Sequence, residues 1–113
     1  MVNIAIIQAE TAPTLREGLE LTRTLTMRAA AEGATLVVFP ETWLPGYPVW
    51  LDVCRDVALW DHEPTKMVFA RYRHESVDVT GDAGRELAAL ARDAAVTLVV
   101  GVSERVPAGP GYG

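Results

Sequence analysis

The chain has 113 residues, half of them hydrophobic, which suits one small domain with a real core and argues against disorder. Ten Lys and Arg stand against fifteen Asp and Glu, a formal net charge of -5 with no basic run, which argues against a nucleic-acid partner. The longest apolar runs, around Ile4 to Ile7 and Val96 to Val102, are strand-sized and too short to span a bilayer. Met1-Val2-Asn3 leads straight into a strand without a basic region or cleavage site. The single cysteine, Cys54, has no partner for an internal disulfide, so the expected compartment is a reducing cytoplasm.

Val2 to Ala9 reads as a first strand, apolar at nearly every position, as burial on both faces of a sheet requires. Gln8 and Glu10 lie near its carboxyl end, where a strand meets either water or a ligand edge. Thr14 with Glu17 makes a capping box after Pro13 and opens a helix. Leu15, Gly18, Leu19, Thr22, Leu25, Thr26 and Ala29 share one face of that helix, and Gly33 is a suitable stop. A second apolar run, Leu36 to Phe39, follows. The result is a β-α-β unit, which implies parallel pairing of its two strands.

Pro40 ends the second strand, because proline has no amide hydrogen for a ladder and fixes its own φ. Glu41 therefore stands at a strand's carboxyl end, the edge at which open α/β sheets bind ligands. Apolar and aromatic neighbours there can raise a carboxyl pKa towards a value useful for proton transfer; a solvated loop carboxylate is the other reading. Trp43, Leu44, Pro45, Gly46, Tyr47, Pro48 and Trp50 make a turn-rich aromatic segment that packs over the strand end or lines a pocket.

Between Leu51 and His74 helical turns are expected, with Pro64 in the first turn of a helix through Met67 and Ala70; His74 to Val79 reads as loop or short strand. Asp61-His62-Glu63 is better read as solvated charges before that helix than as a metal site, since adjacent side chains diverge on any regular backbone. His74 reads as a surface or capping group. Thr80-Gly81-Asp82 opens another amphipathic helix, with Ala83, Leu87, Leu90, Ala91 and Ala94 on one face. Val96 to Val102 is a third buried strand. Glu104 is then either a pocket-rim group or, with Arg105, a solvated strand-end charge. Residues 107–113 have a loop composition.

The string FPETWLPGYP closely resembles the glutamate segment of the nitrilase, or carbon-nitrogen hydrolase, superfamily, and its GYP-aromatic ending is most similar to the nitrilase branch. The strand exit Gly101-Val102-Ser103-Glu104-Arg105 extends the resemblance over essentially the whole chain. It implies an α/β fold, the amino-terminal part of an αββα sandwich, with residues 1–113 as an incomplete carbon-nitrogen hydrolase domain. It also implies that Glu41 is the general base of a Glu-Lys-Cys triad. In the family the lysine and cysteine lie beyond this sequence. Neither Lys66 nor Cys54 stands in a matching segment, and Cys54 reads as a buried structural cysteine.

The expected reaction is conversion of a nitrile to a carboxylic acid and ammonia, with no metal or organic cofactor, and a homo-oligomer is the expected assembly. Two alternatives stand beside it: an amidase of the same superfamily, and a truncated, non-catalytic chain acting as an assembly or binding module. On either account the 113 residues alone are expected to be inactive.

Overall fold

The computed structural model describes residues 1–106; the loop expected over 107–113 lies outside the described residues. In chain order the elements are β1 (Ile4–Ile6), α1 (Leu15–Ala31), β2 (Leu36–Val38), α2 (Trp50–Val53), a 3-10 turn (Arg55–Ala58), α3 (Glu63–Glu75), α4 (Asp82–Ala94) and β3 (Thr97–Val99). The strands form a parallel sheet in the order β1-β2-β3, with Ala5 opposite Val37 and Val37 opposite Leu98.

The local chemistry of α1 explains its limits. Thr14 caps it, its Oγ1 accepting from the Glu17 amide at 3.2 Å, and the Leu15 amide donates to Glu75 Oε2 at 2.7 Å. At the other end Gly33 takes φ 95°, so the Ala34 amide can reach back to the Ala29 carbonyl at 3.0 Å. Gly18, Leu19, Thr22, Thr26 and Ala29 are buried on the face foreseen from their spacing. Helix α4 starts after Gly81, where Asp78 Oδ1 accepts from the Thr80 amide and hydroxyl, and it buries Ala83 and Leu90. An ion pair between Arg16 and Glu86 ties α1 to α4.

The core joins Leu19 and Ala29 of α1 and Ala83 of α4 to Val37, Phe39, Trp43, Leu44 and Val77, with Ala5 and Leu98 packed against it. The opposite face of the sheet differs from the sequence expectation. Ile4 is 58% exposed, Ile6 73% and Val99 48%, although their runs had suggested burial on both faces. An apolar run states what a strand tolerates on each face, whereas cover is supplied by other elements, and α1 and α4 contribute to the same core. Among the described residues the fold is thus two layers, helices on one sheet face. This is the α/β architecture of the amino-terminal part of an αββα sandwich.

Candidate active site

Beyond β2 the ladder runs one residue further, the Phe39 amide donating to Val99 O at 2.8 Å, and then Pro40 turns the chain. The Trp43 amide donates to Pro40 O at 3.3 Å, closing a four-residue turn with Glu41 and Thr42 at its centre. Thr42 has φ 49°, in the left-handed region, and its Oγ1 donates to Glu41 O at 2.8 Å. A β-branched side chain costs about 1–2 kcal/mol in that region, so the turn carrying Glu41 is held by its surroundings rather than by local preference.

Those surroundings begin with Gly101. A Cβ there would stand 2.4 Å from Pro40 O, 2.7 Å from Glu41 Cα and 2.7 Å from the Thr42 nitrogen. Only glycine lets the turn lie directly on the exit of β3. The Leu44 amide then donates to Gly101 O at 3.2 Å and the Ser103 amide to Leu44 O at 2.9 Å, a parallel bridge from Leu44 to Val102. The neighbouring Val77 amide donates to Ser103 O at 2.8 Å, and the Arg105 amide to Val77 O at 2.7 Å.

Trp43 is buried to 1% exposure and packs on Phe39 with ring centroids 5.2 Å apart. Its Nε1-H donates to Thr22 Oγ1 at 2.8 Å, and the Thr22 hydroxyl donates to Gly18 O at 2.6 Å. Every polar atom of that chain is satisfied, which is what allows an indole and a hydroxyl so deep in a core. Thr22→Val keeps the shape but strands the indole N-H, and is expected to lower stability by about 1–3 kcal/mol in chemical denaturation followed by far-UV circular dichroism. An unchanged midpoint would show that the bond contributes nothing.

The Glu41 carboxylate is exposed, and no described residue hydrogen-bonds to it. The apolar cover foreseen for it is not built by its neighbours: Trp43 is directed into the core, and Tyr47 is itself exposed. The charge of Asp52 holds the Tyr47 phenol above its ordinary value, and Glu41 adds to the effect, so the two carboxylates lie within electrostatic reach of that ring.

None of the other singled-out residues makes a hydrogen bond to the Glu41 side chain among the described residues. Gln8 and Glu10 are exposed after β1, and Glu104 is exposed on the segment paired with Val77. Cys54 is exposed between α2 and the 3-10 turn, not buried as its type suggested. Lys66 is engaged by Asp61 and, at 3.0 Å, by Glu63; these bonds, Asp61 first, hold its ammonium above the usual value. His62 Nδ1 lies 2.8 Å from Thr65 Oγ1, so within the Asp61-His62-Glu63 run the two carboxylates share Lys66 while the imidazole turns to a different partner. His74 falls in the last turn of α3. Tyr72 was given no role from the sequence, and Gly101 and Ser103 entered only as members of the strand-exit string, although a glycine at a strand exit was a visible signal for the first of that pair.

With this geometry in place, the comparisons with known proteins are specific. The carbon-nitrogen hydrolase family model matches residues 3–112. An arylacetonitrilase of Aspergillus oryzae is 32% identical over 106 residues, covering 93% of this chain and 29% of its own length. A nitrilase of Pseudomonas syringae is 37% identical over 89 residues, 77% of this chain and 24% of that protein. A cyanide hydratase of Pyrenophora teres is 30% identical over 92 residues, 80% of this chain and 23% of that protein. The chain therefore spans less than a third of the length of these curated relatives. A match over nearly every residue, on a parallel α/β sheet that carries the FPETWLPGYP turn at its carboxyl edge, places the chain in the carbon-nitrogen hydrolase family.

Proposed function

We propose that residues 1–113 are the amino-terminal portion of a nitrilase-type hydrolase and supply Glu41 as the general base of its Glu-Lys-Cys triad, the lysine and cysteine coming from outside this chain. The observation that carries the reading is the seat of Glu41, on a turn at the end of the central strand that Gly101 alone lets close over β3. A thiol with an ordinary pKa is mostly protonated at neutral pH, so a nitrilase cysteine needs a nearby base to take its proton. The thiolate then adds to the nitrile carbon. Protonation of nitrogen gives a thioimidate, water displaces ammonia to leave a thioester, and a second water releases the acid. An exposed carboxylate on a supported turn can accept a proton from a cysteine presented by the rest of the enzyme, whose walls would then supply the missing cover.

The substrate is a small organic nitrile, with an amide as the competing class, and the reducing cytoplasm remains the proposed compartment. No helix among the described residues is long and apolar enough to cross a membrane. The test is a chimera in which residues 1–113 replace the matching segment of the Pseudomonas syringae nitrilase. Release of ammonia from phenylacetonitrile is the expected result. A folded, soluble chimera that releases none from nitriles but hydrolyses amides would move the assignment to the amidase, and one inert to both would sink the enzymatic reading.

For the chain by itself we propose association through the open sheet. Ile4, Ile6 and Val99 form an apolar face, and β1 and β3 are both edges among the described residues. Size-exclusion chromatography at micromolar concentration should give an oligomer or aggregate. A sharp monomer peak would contradict the proposal.

A further inference from the structure

Helix α3 buries no residue, yet one of its side chains reaches the turn segment. The Tyr72 hydroxyl lies 3.1 Å from the Gly46 carbonyl and 2.5 Å from Ser103 Oγ. A phenol has one proton and a carbonyl can only accept, so Tyr72 donates to Gly46 and the Ser103 hydroxyl donates to Tyr72. The ring is set edge-on to Trp50, centroids 6.5 Å apart, and Trp50 is set by Phe69 at 4.8 Å. Tyr72 is half-buried, so the pair of bonds is only partly open to competition from water.

The consequence for Glu41 follows from where the segment is held. Its start lies on Gly101, and its middle is paired through Leu44 to Gly101 and Ser103. Beyond Leu44 the described residues make no further backbone bridge from this segment to the β3 exit. The Tyr72 hydroxyl adds an attachment at Gly46, on the far side of Leu44 from Glu41, and joins it to Ser103, whose amide already donates to Leu44. Gly46 is itself confined, with φ 112° and a Cβ direction only 2.9 Å from Thr11 Oγ1. The geometry points to Tyr72 as a positioning residue for Glu41: with Ser103 it fixes the turn against the β3 exit, so the carboxylate keeps one place relative to the thiol it deprotonates. This rests on the assignment of Glu41 as the base.

The test is a mutant cycle in the chimera. A misplacement of about 1 Å in a reacting group costs on the order of 100-fold, so Tyr72→Phe should lower kcat by about 10- to 100-fold with KM changed less than about twofold. In a Glu41→Gln background the same change should lower kcat less than about twofold, because the geometry it holds no longer serves a base. Ser103→Ala, which keeps the ring, should act in the same direction and carries the cycle if Tyr72→Phe does not fold. An undiminished Tyr72→Phe loss in the Glu41→Gln background, or no loss in the parent, overturns the role of Tyr72 and leaves Glu41 untouched. A Glu41→Gln enzyme with full kcat overturns the base assignment instead, and the positioning role with it. Hydrogen exchange on the 113-residue chain reads the clamp without turnover: Tyr72→Phe should speed exchange at the Leu44 and Ser103 amides and leave the β1-β2 ladder unchanged. Equal rates at Leu44 and Ser103 would overturn the clamp.

Discussion

Glu41→Gln in the chimera is expected to reduce kcat by about 100- to 10,000-fold, the range associated with loss of a general base. The amide keeps the size of the carboxylate and can still accept a hydrogen bond, but it cannot take the thiol proton. The fold should survive the change, because the Glu41 carboxylate is exposed and no described residue bonds to it. Glu10→Gln and Glu104→Gln serve as controls, since both residues are exposed and neither is assigned a proton-transfer role, and each should leave kcat within about twofold. Retention of more than about a tenth of the parent kcat by Glu41→Gln, on its best nitrile or amide, would make Glu41 a structural residue.

Trp43→Ala is expected to cost about 3–5 kcal/mol, the usual penalty for emptying a large buried aromatic site. The side chain is 1% exposed, packs on Phe39, and carries the N-H that Thr22 accepts. Small domains have only about 5–15 kcal/mol in hand, so the variant should lose most of its cooperative unfolding transition. Trp43→Phe separates the two contributions. It retains most of the apolar contact and forfeits one hydrogen bond, and since Thr22 keeps its bond to Gly18, its own cost should be smaller by at least about 1 kcal/mol. Denaturant titrations followed by far-UV circular dichroism measure both. A Trp43→Ala midpoint within error of the parent would contradict the packing that seats the Glu41 turn.

Much of this was legible in the sequence because the signals were local. Thr14 and Glu17 stand three apart and cap α1, and the apolar face from Leu15 to Ala29 is a direct reading of helical period. The β-α-β unit and the position of Glu41 at a strand end followed from Gly33 and Pro40 in the same way. What escaped depends on contacts across the chain. Ile4 and Ile6 look like core in the sequence, and they lie open because no described element covers their face. The aromatic segment suggested both packing over the strand end and lining a pocket; Trp43 took the first course because Thr22, on another element, accepts its N-H. Tyr72 carries no local mark, since its partners Gly46 and Ser103 are far from it in the chain. The resemblance of FPETWLPGYP pointed to Glu41 without any of these contacts, and so could not disclose what holds it.

The contact of Gly101 with the Pro40-Glu41-Thr42 backbone also has an order in time. A chain emerging from the ribosome exposes β1, α1 and β2 first, and these can pair and pack before the rest exists. Thr42 has no local reason to stay in the left-handed region at that stage. Its turn can be seated only when Gly101 and Ser103 have left the exit tunnel and β3 has joined the sheet. The turn that carries Glu41 is thus shaped later in synthesis than β1, α1 and β2, and any delay in β3 joining the sheet leaves it unformed for as long.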